Sequence, residues 1–175
     1  IVELLIVIVV IAILAAISFV AYDKIQQRAN NTKTITEAKQ VVGLIQAYYA
    51  AYGEFPVNYD ACATQDNKCT GSSNPNPLAS NNSPLMSELK KIGVPPVSSN
   101  IPTSLGTYGI SYRWHGTSKV IDGQTYPVRV EYFLQGGAQG CKLNNVANGP
   151  MNGFSGTGYS TTVDDRTTCW VMIAA

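Results

Sequence analysis

The chain has 175 residues, of which 45% are hydrophobic, so it is long enough for one domain with a core, and a second domain is not expected. Its formal net charge is +1, from 12 basic and 11 acidic residues. This balance excludes a global basic field that would attract nucleic acid, and no nucleic-acid partner is predicted. Any electrostatic partner must be recognised locally.

The first predicted element is an apolar helix over residues 1–22, in which Glu3 is the only charged residue. At about 1.5 Å per residue, this segment can cross a hydrocarbon layer of about 30 Å. Nothing basic precedes it and no small-residue cleavage site follows it, in contrast to a secretory signal. We therefore expect that a basic leader was removed ahead of Ile1 and that the apolar segment is retained.

Residues 23–52 are predicted to continue this helix in amphipathic form. Apolar residues from Ile25 to Tyr52 recur at spacings of three, four and seven, and the charged residues fall mostly on the other face. No Gly or Pro interrupts residues 1–42, so the two halves are predicted to form one rod of roughly 78 Å that stops at Gly53.

The region 53–106 is rich in Pro, Asn and Ser and is predicted to be a loop that contains one short helix, 84–92. Ser83 is the expected N-cap of that helix, Pro84 its first residue and Gly93 its stop.

Residues 107–135 are predicted to form antiparallel strands, because "TYGISYRWHG" and "QTYPVRVEYFLQ" alternate in polarity around a turn with Asp122 and Gly123. In residues 136–175, a Gly- and Asn-rich loop precedes a final apolar strand, "TCWVMIAA". The predicted fold class is α+β, a long helix packed on an antiparallel sheet.

Four cysteines, all beyond the apolar segment, predict two disulfide bonds in an oxidising compartment. Zinc is the alternative, but Cys62 and Cys69 are further apart than a usual zinc knuckle allows. The sequence does not distinguish the three pairings. The preferred one joins Cys62 to Cys69 within a loop and Cys141 to Cys169, which ties the C-terminal loop to the final strand.

No arrangement of residues predicts catalysis, a cofactor or a metal, and we do not expect an enzyme. His115 is the only histidine and has no nucleophile context. Asp164 and Asp165 supply fewer ligands than a calcium loop normally does. Two sequons, at Asn30 and Asn81, are candidate glycosylation sites, and Asn81 is the better one because its loop is predicted to be exposed.

The stretch "IVELLIVIVVIAILAAISFVAY" resembles the N-terminal segment of type IV pilins, and "AYYAAYGEFP" is similar to the point where the long helix ends in many of them. In that family two further residues, usually an aromatic one with a methylated amine and then Thr, precede the position of Ile1. The resemblance implies a pilin fold and a structural subunit, most simply the major one, that forms an extracellular filament for adhesion, twitching motility or uptake.

The resemblance also implies the partners. These are further copies of the chain, the inner membrane before assembly, the prepilin peptidase, an assembly ATPase, a platform protein and a cell-surface receptor. Glu3 is expected to register neighbouring subunits by pairing with a positively charged N-terminal amine inside the filament. The helices are expected to pack in the filament core through Leu4, Leu5, Ile8, Ile11, Ala12, Leu14, Ile17 and Val20.

Two alternatives stay open at this point. Within the same family, the chain could be a type II secretion pseudopilin or a minor pilin. In a different class, it could be a membrane-anchored binding module that never polymerises. The two classes differ in what they predict for Glu3→Ala, which should block assembly only in a polymerising subunit.

Overall fold

The computed structural model of the protein describes residues 2–65, 69–71, 74–77, 84–99, 101, 103, 106, 108–118, 120–121, 123–137, 139–141, 143, 159–161 and 166–175. Six residues named from the sequence lie outside this set: Ile1, Asn81, Ser83, Asp122, Asp164 and Asp165. The side chain of Val20 also lies outside it.

The long helix α1 runs from Val2 to Tyr52 and contains 51 residues, which confirms the prediction of one continuous helix. It ends at Gly53, whose backbone N–H donates to the Tyr49 carbonyl at 2.8 Å and whose φ is 72°. Glycine adopts this left-handed conformation without the steric cost of a Cβ, which is why the helix stops at this residue.

Among the described residues, the remaining elements are one short helix and nine strands of two to eight residues. In chain order they are β1 (Ala61–Cys62), β2 (Thr70–Gly71), β3 (Asn74–Pro77), α2 (Pro84–Leu89), β4 (Ile110–Trp114), β5 (Val120–Ile121), β6 (Gln124–Thr125), β7 (Val128–Gln135), β8 (Tyr159–Thr161) and β9 (Arg166–Ile173).

The main sheet has five strands in the order β1-β4-β7-β9-β8, and each neighbouring pair is antiparallel. β4 and β7 are the two strands that the sequence predicted to pair, and Tyr112 lies opposite Val130 in their register. Two separate hairpins, β2 with β3 and β5 with β6, complete the described strands. An α+β architecture with an antiparallel sheet is thus confirmed.

The structure corrects three element boundaries. The strand expected over "QTYPVRVEYFLQ" is divided into β6 and β7 at Pro127, which has no N–H to donate to a ladder. The region 53–106 is less loop-like than expected, because β1, β2 and β3 lie within it. The short helix ends as α-helix at Leu89 and continues only as a turn, in which Gly93 N–H donates to the Leu89 carbonyl at 3.0 Å.

The core lies between the second half of α1 and one face of the sheet. Val128, Val130, Tyr132 and Leu134 alternate along β7 and all belong to this core. On α1 the matching stripe consists of Ala38, Val41, Val42 and Ile45, at the spacing of one helix face. Burial of each large apolar side chain contributes roughly 1.5–3 kcal/mol, which is what holds the helix on the sheet.

The opposite face of the sheet is also buried and carries charge. The Glu131 carboxylate is fully buried and pairs with the Arg129 guanidinium at 3.1 Å. That guanidinium also lies 5.1 Å from the centre of the Trp170 ring. Burial lowers the pKa of Arg129, while the Glu131 carboxylate acts in the other direction. The Arg129–Glu131 ion pair thus offsets part of the cost of placing two charged groups in the interior.

The disulfide bonds join Cys62 to Cys69 and Cys141 to Cys169, with Cα–Cα distances of 5.5 and 5.6 Å. This is the pairing that the sequence favoured. It leaves no thiolate for zinc among the four cysteines. The second bond attaches residue 141 to the central part of β9, which pairs with β7 at Tyr132.

Candidate functional site

The first half of α1 lies outside the head, and every residue from Val2 to Ser18 is exposed. Leu4 exposes 73% of its surface and Ile17 exposes 62%. The other residues of this segment that were expected to pack in a filament core are also exposed: Leu5, Ile8, Ile11, Ala12 and Leu14. The helix is long and apolar enough to cross a membrane, and none of its most apolar window is buried by the rest of the protein. An apolar surface of this size marks a membrane or protein contact.

Glu3 lies in the first turn of this exposed segment. No ion pair to it occurs among the described residues. The next basic residue along α1 is Lys24, roughly 31 Å away at about 1.5 Å per residue, so α1 itself cannot supply a partner. The helix dipole offers about 0.3–1 kcal/mol, against roughly 3 kcal/mol for a charge in hydrocarbon. Within hydrocarbon, the helix dipole alone would thus not offset the cost of this carboxylate.

Ser18 is the second polar residue of the segment 2–18, and unlike Glu3 it has a hydrogen-bond partner within α1. Its hydroxyl donates to the Leu14 carbonyl at 2.8 Å, which satisfies it within the helix. By contrast, the charged Glu3 side chain makes no ion pair among the described residues.

The edge of the head nearest the apolar half of α1 is attached to the helix by side-chain amide groups. Asn31 exchanges two hydrogen bonds with the backbone of Gln135: its amide donates to the carbonyl at 2.9 Å and its oxygen accepts from the N–H at 2.8 Å. Gln27 donates to the same carbonyl at 2.7 Å. Gly136 follows with a φ of 89°, and a Cβ there would collide with the Gln27 amide. The apolar half therefore extends freely from a firmly attached head.

The upper part of the head is attached to α1 in the same manner. The Glu37 carboxylate accepts from the Ser99 hydroxyl at 2.9 Å, and Gln40 donates to the Val94 carbonyl at 2.9 Å. The Tyr48 hydroxyl donates to Glu88, and this bond, together with burial, raises the pKa of Tyr48 to about 12. Polar contacts from Gln27 to Tyr48 thus make the rod and head one body.

The other candidates from the sequence take structural positions or lie outside the described residues. His115 follows β4, and its backbone N–H donates to the Pro127 carbonyl at 2.7 Å. Asn30, in the first sequon, donates its side-chain amide to Gln135 at 3.1 Å. Within the described ranges, no group of three His, Cys, Asp or Glu residues could hold a metal ion. The amide contacts of Asn31 were missed from the sequence, although a polar residue on the predicted buried helix face was a usable signal.

The arrangement leaves the apolar half of α1 uncovered by the rest of the protein, and an apolar surface of this kind is suited to contact with lipid or with another protein. Comparisons of the chain with models of protein families, with curated proteins and with solved structures found no match. The function is therefore inferred from the residues and geometry of the chain itself.

Proposed function

We propose that this chain is a structural subunit of an extracellular filament of the type IV pilus class, in which copies polymerise through the exposed half of α1. The observation that carries the proposal is Glu3, the one charged residue in the exposed helix segment 2–18, whose other residues except Ser18 are apolar. The resemblance of the first 22 residues to type IV pilins supports the same conclusion. Adhesion, motility or uptake would be roles of the assembled filament.

Before assembly, the apolar half resides in the membrane, where lipid covers its surface. On assembly it moves among the apolar halves of other copies, which exchanges lipid contacts for protein contacts. Glu3 then pairs with a positive group of a neighbouring copy, and the resemblance assigns that role to the N-terminal amine. Since a head-to-tail screw arrangement does not close, one kind of subunit yields a filament instead of a ring.

The test replaces Glu3 in producing cells and separates insertion from assembly. In Glu3→Ala we expect normal recovery of the chain in membranes that resist alkaline extraction, with loss of nearly all sheared filaments. Glu3→Gln keeps the shape without the charge and should fail in the same way. Glu54→Ala removes an exposed acid next to the far end of α1 and serves as the matched control, with filament yield unchanged. Normal filaments from Glu3→Ala would contradict the proposal.

A second measurement distinguishes the major subunit from its alternatives. Fibres sheared from wild-type cells are imaged, and the intact subunit is weighed by mass spectrometry. Fibres composed mainly of this chain indicate a major pilin, whereas fibres containing traces of it indicate a minor one. If the chain is expressed but stays in membranes and no fibre appears, the pseudopilin or the anchored binding module replaces the present proposal.

A further inference from the structure

Lys24 and Arg28 lie one helical turn apart on the same face of α1, and both are exposed. Neither belongs to any of the ion pairs found among the described residues, which are Lys91 with Glu88, Arg113 with Asp60 and Arg129 with Glu131. Asp23 is adjacent in sequence, but neighbouring helical residues do not face each other. Two like charges at this spacing repel, so within the monomer the pair is unfavourable.

The pair lies just past the point where the apolar segment ends. Tyr22, which is 65% exposed, marks that point, and tyrosine is enriched where a helix leaves the hydrocarbon. Lys24 and Arg28 follow at about 3 and about 9 Å along the axis. A headgroup layer is roughly 5–7 Å thick, and helical side chains lean toward the N-terminus, here toward the membrane. Both cationic groups can therefore reach the depth of lipid phosphates.

Arg28 also stands at the edge of a groove of about 600 Å³ between α1 and the end of β7. The polar side chains beside it are already engaged. The Thr32 hydroxyl donates to the Arg28 carbonyl at 2.8 Å, the Asn31 amide is paired with Gln135, and the Gln139 amide donates to the Gly137 carbonyl at 3.1 Å. Of the described groove residues, the Arg28 guanidinium is the strong donor that remains, so the site favours an anion.

We propose that Lys24 and Arg28 together bind the phosphate of an anionic phospholipid while the chain is in the membrane. This inference rests on the membrane stage of the proposed function. The ammonium supplies a point charge and the guanidinium a planar donor pair, both suited to phosphate oxygens. Because the head is rigidly attached to α1 from Gln27 upward, lipid binding at this point fixes both the depth of the helix and the rotation of the head above the surface.

The experiment measures lipid selectivity with the full chain reconstituted in phosphatidylcholine vesicles. Trace spin-labelled phosphatidylglycerol or spin-labelled phosphatidylcholine is added, and electron paramagnetic resonance gives the fraction of each label held at the protein. The test variant is Lys24→Gln with Arg28→Gln. The matched control is Lys33→Gln with Lys39→Gln, which removes the same charge from exposed positions further along α1.

We expect wild type and the control to hold phosphatidylglycerol about fivefold more strongly than phosphatidylcholine, roughly the effect of one basic residue near an anionic surface. The preference should fall to about one in the test variant, and it should weaken with added salt.

Equal losses in both variants, or no preference in wild type, would overturn the proposal. So would a test variant that keeps the lipid preference but no longer forms filaments, since the pair would then contact a neighbouring copy. If alkaline extraction removes the chain from the vesicles, the membrane stage of the proposed function fails as well; an inserted chain without selectivity refutes only the lipid site.

Discussion

Asn31 is a polar residue on the buried face of α1, with only 7% of its surface exposed. A side-chain amide carries one donor and one acceptor in nearly the geometry of a peptide group, so it can pair with a backbone as a strand does. Here it pairs with Gln135, the last residue of β7, where the ladder ends. Asn31 thus bonds to both backbone groups of the residue at this strand end, in addition to the Gln27 amide that donates to the same carbonyl.

Replacing Asn31 with Ala should destabilise the head by about 2 kcal/mol, because two hydrogen bonds to the Gln135 backbone are lost at about 1 kcal/mol each, while the Gln27 amide still donates to the Gln135 carbonyl. Asn30→Ala is the control, since Asn30 makes one side-chain bond to the same residue, and about 1 kcal/mol or less is expected. Denaturant unfolding of the full chain in detergent, followed by near-ultraviolet circular dichroism, gives both values. Equal losses of unfolding free energy in the two variants would show that the two Asn31 bonds to the Gln135 backbone contribute no more than the single Asn30 bond.

Tyr48, Glu88 and Lys91 form a linked group that titrates at both ends of the pH scale. The hydrogen bond to Glu88 is the main reason that the pKa of Tyr48 rises to about 12. Bonds from Lys91 and Tyr48 lower the pKa of the Glu88 carboxyl. A raised tyrosine pKa gives stability that is present below about pH 10 and lost as the pH rises from about 10 to 12. The lowered Glu88 pKa gives stability that is lost only in acid, below the ordinary glutamate pKa.

In Glu88→Gln we expect the pKa of Tyr48 to fall from about 12 toward its ordinary value, because the charged acceptor is gone. Ultraviolet difference absorbance of tyrosinate measures it, with Tyr48→Phe identifying the contribution of Tyr48 among the ten tyrosines. Glu54→Gln removes a more weakly acting carboxylate and should shift the titration much less. A Tyr48 titration that is the same in Glu88→Gln and in wild type would mean that burial alone sets its pKa.

At the scale of elements, the two disulfide bonds close loops of different length. Their sequence separations are 7 for Cys62–Cys69 and 28 for Cys141–Cys169. In the chain-entropy description a longer closed loop restricts the unfolded chain more, and these lengths correspond to about 2.5 and about 3.5 kcal/mol. Only the second bond reaches the centre of the sheet.

The paired substitution of Cys141 and Cys169 with Ser should therefore lower the free energy of unfolding by about 1 kcal/mol more than the paired substitution of Cys62 and Cys69. All four cysteines are buried, so burial does not separate the two double variants, and the loop length sets the expected difference. Denaturant unfolding of the two double variants provides the comparison. A larger loss from Cys62 and Cys69 would place the stabilising constraint in the loop near β1 instead.

The elements that could be predicted from the sequence are those that local rules determine. α1 follows from a helical pattern that ends at Gly53, β4 and β7 follow from alternating polarity, and β9 follows from the apolar run that closes the sequence. β2 and β3 could not be predicted, because short strands in a Pro- and Asn-rich stretch carry no periodic signal. Glu3 was apparent as an isolated charge, whereas the burial of Glu131 beside Arg129 depends on strand register across the sheet, which no local pattern encodes.

At the scale of the whole molecule, the proposed filament raises the question of whether α1 stays helical along its full length on assembly. α1 is helical through Ala12 and Val20. Type IV pilins, which the N-terminal segment resembles, commonly have Gly and Pro at the matching positions, and their helices lose regular structure there in filaments. Ala is the most favourable helix residue and Val keeps the backbone N–H that Pro lacks, so unwinding this chain gives up hydrogen bonds without a compensating preference. If α1 stays helical, the contacts of Gln27 and Asn31 also fix the position of the head relative to the apolar half.

We therefore expect a cryo-electron microscopy map of the wild-type filament to show continuous α-helix through residues 12–20. Val20→Pro supplies the comparison, because a proline inside the helix removes one hydrogen bond, clashes with the preceding turn and costs about 3 kcal/mol. Filaments of that variant, where they form, should show a local break over the turn before residue 20. Unwound backbone at residues 12–20 in the wild-type map would mean that packing among subunits, and not helix propensity, dictates the melted segment.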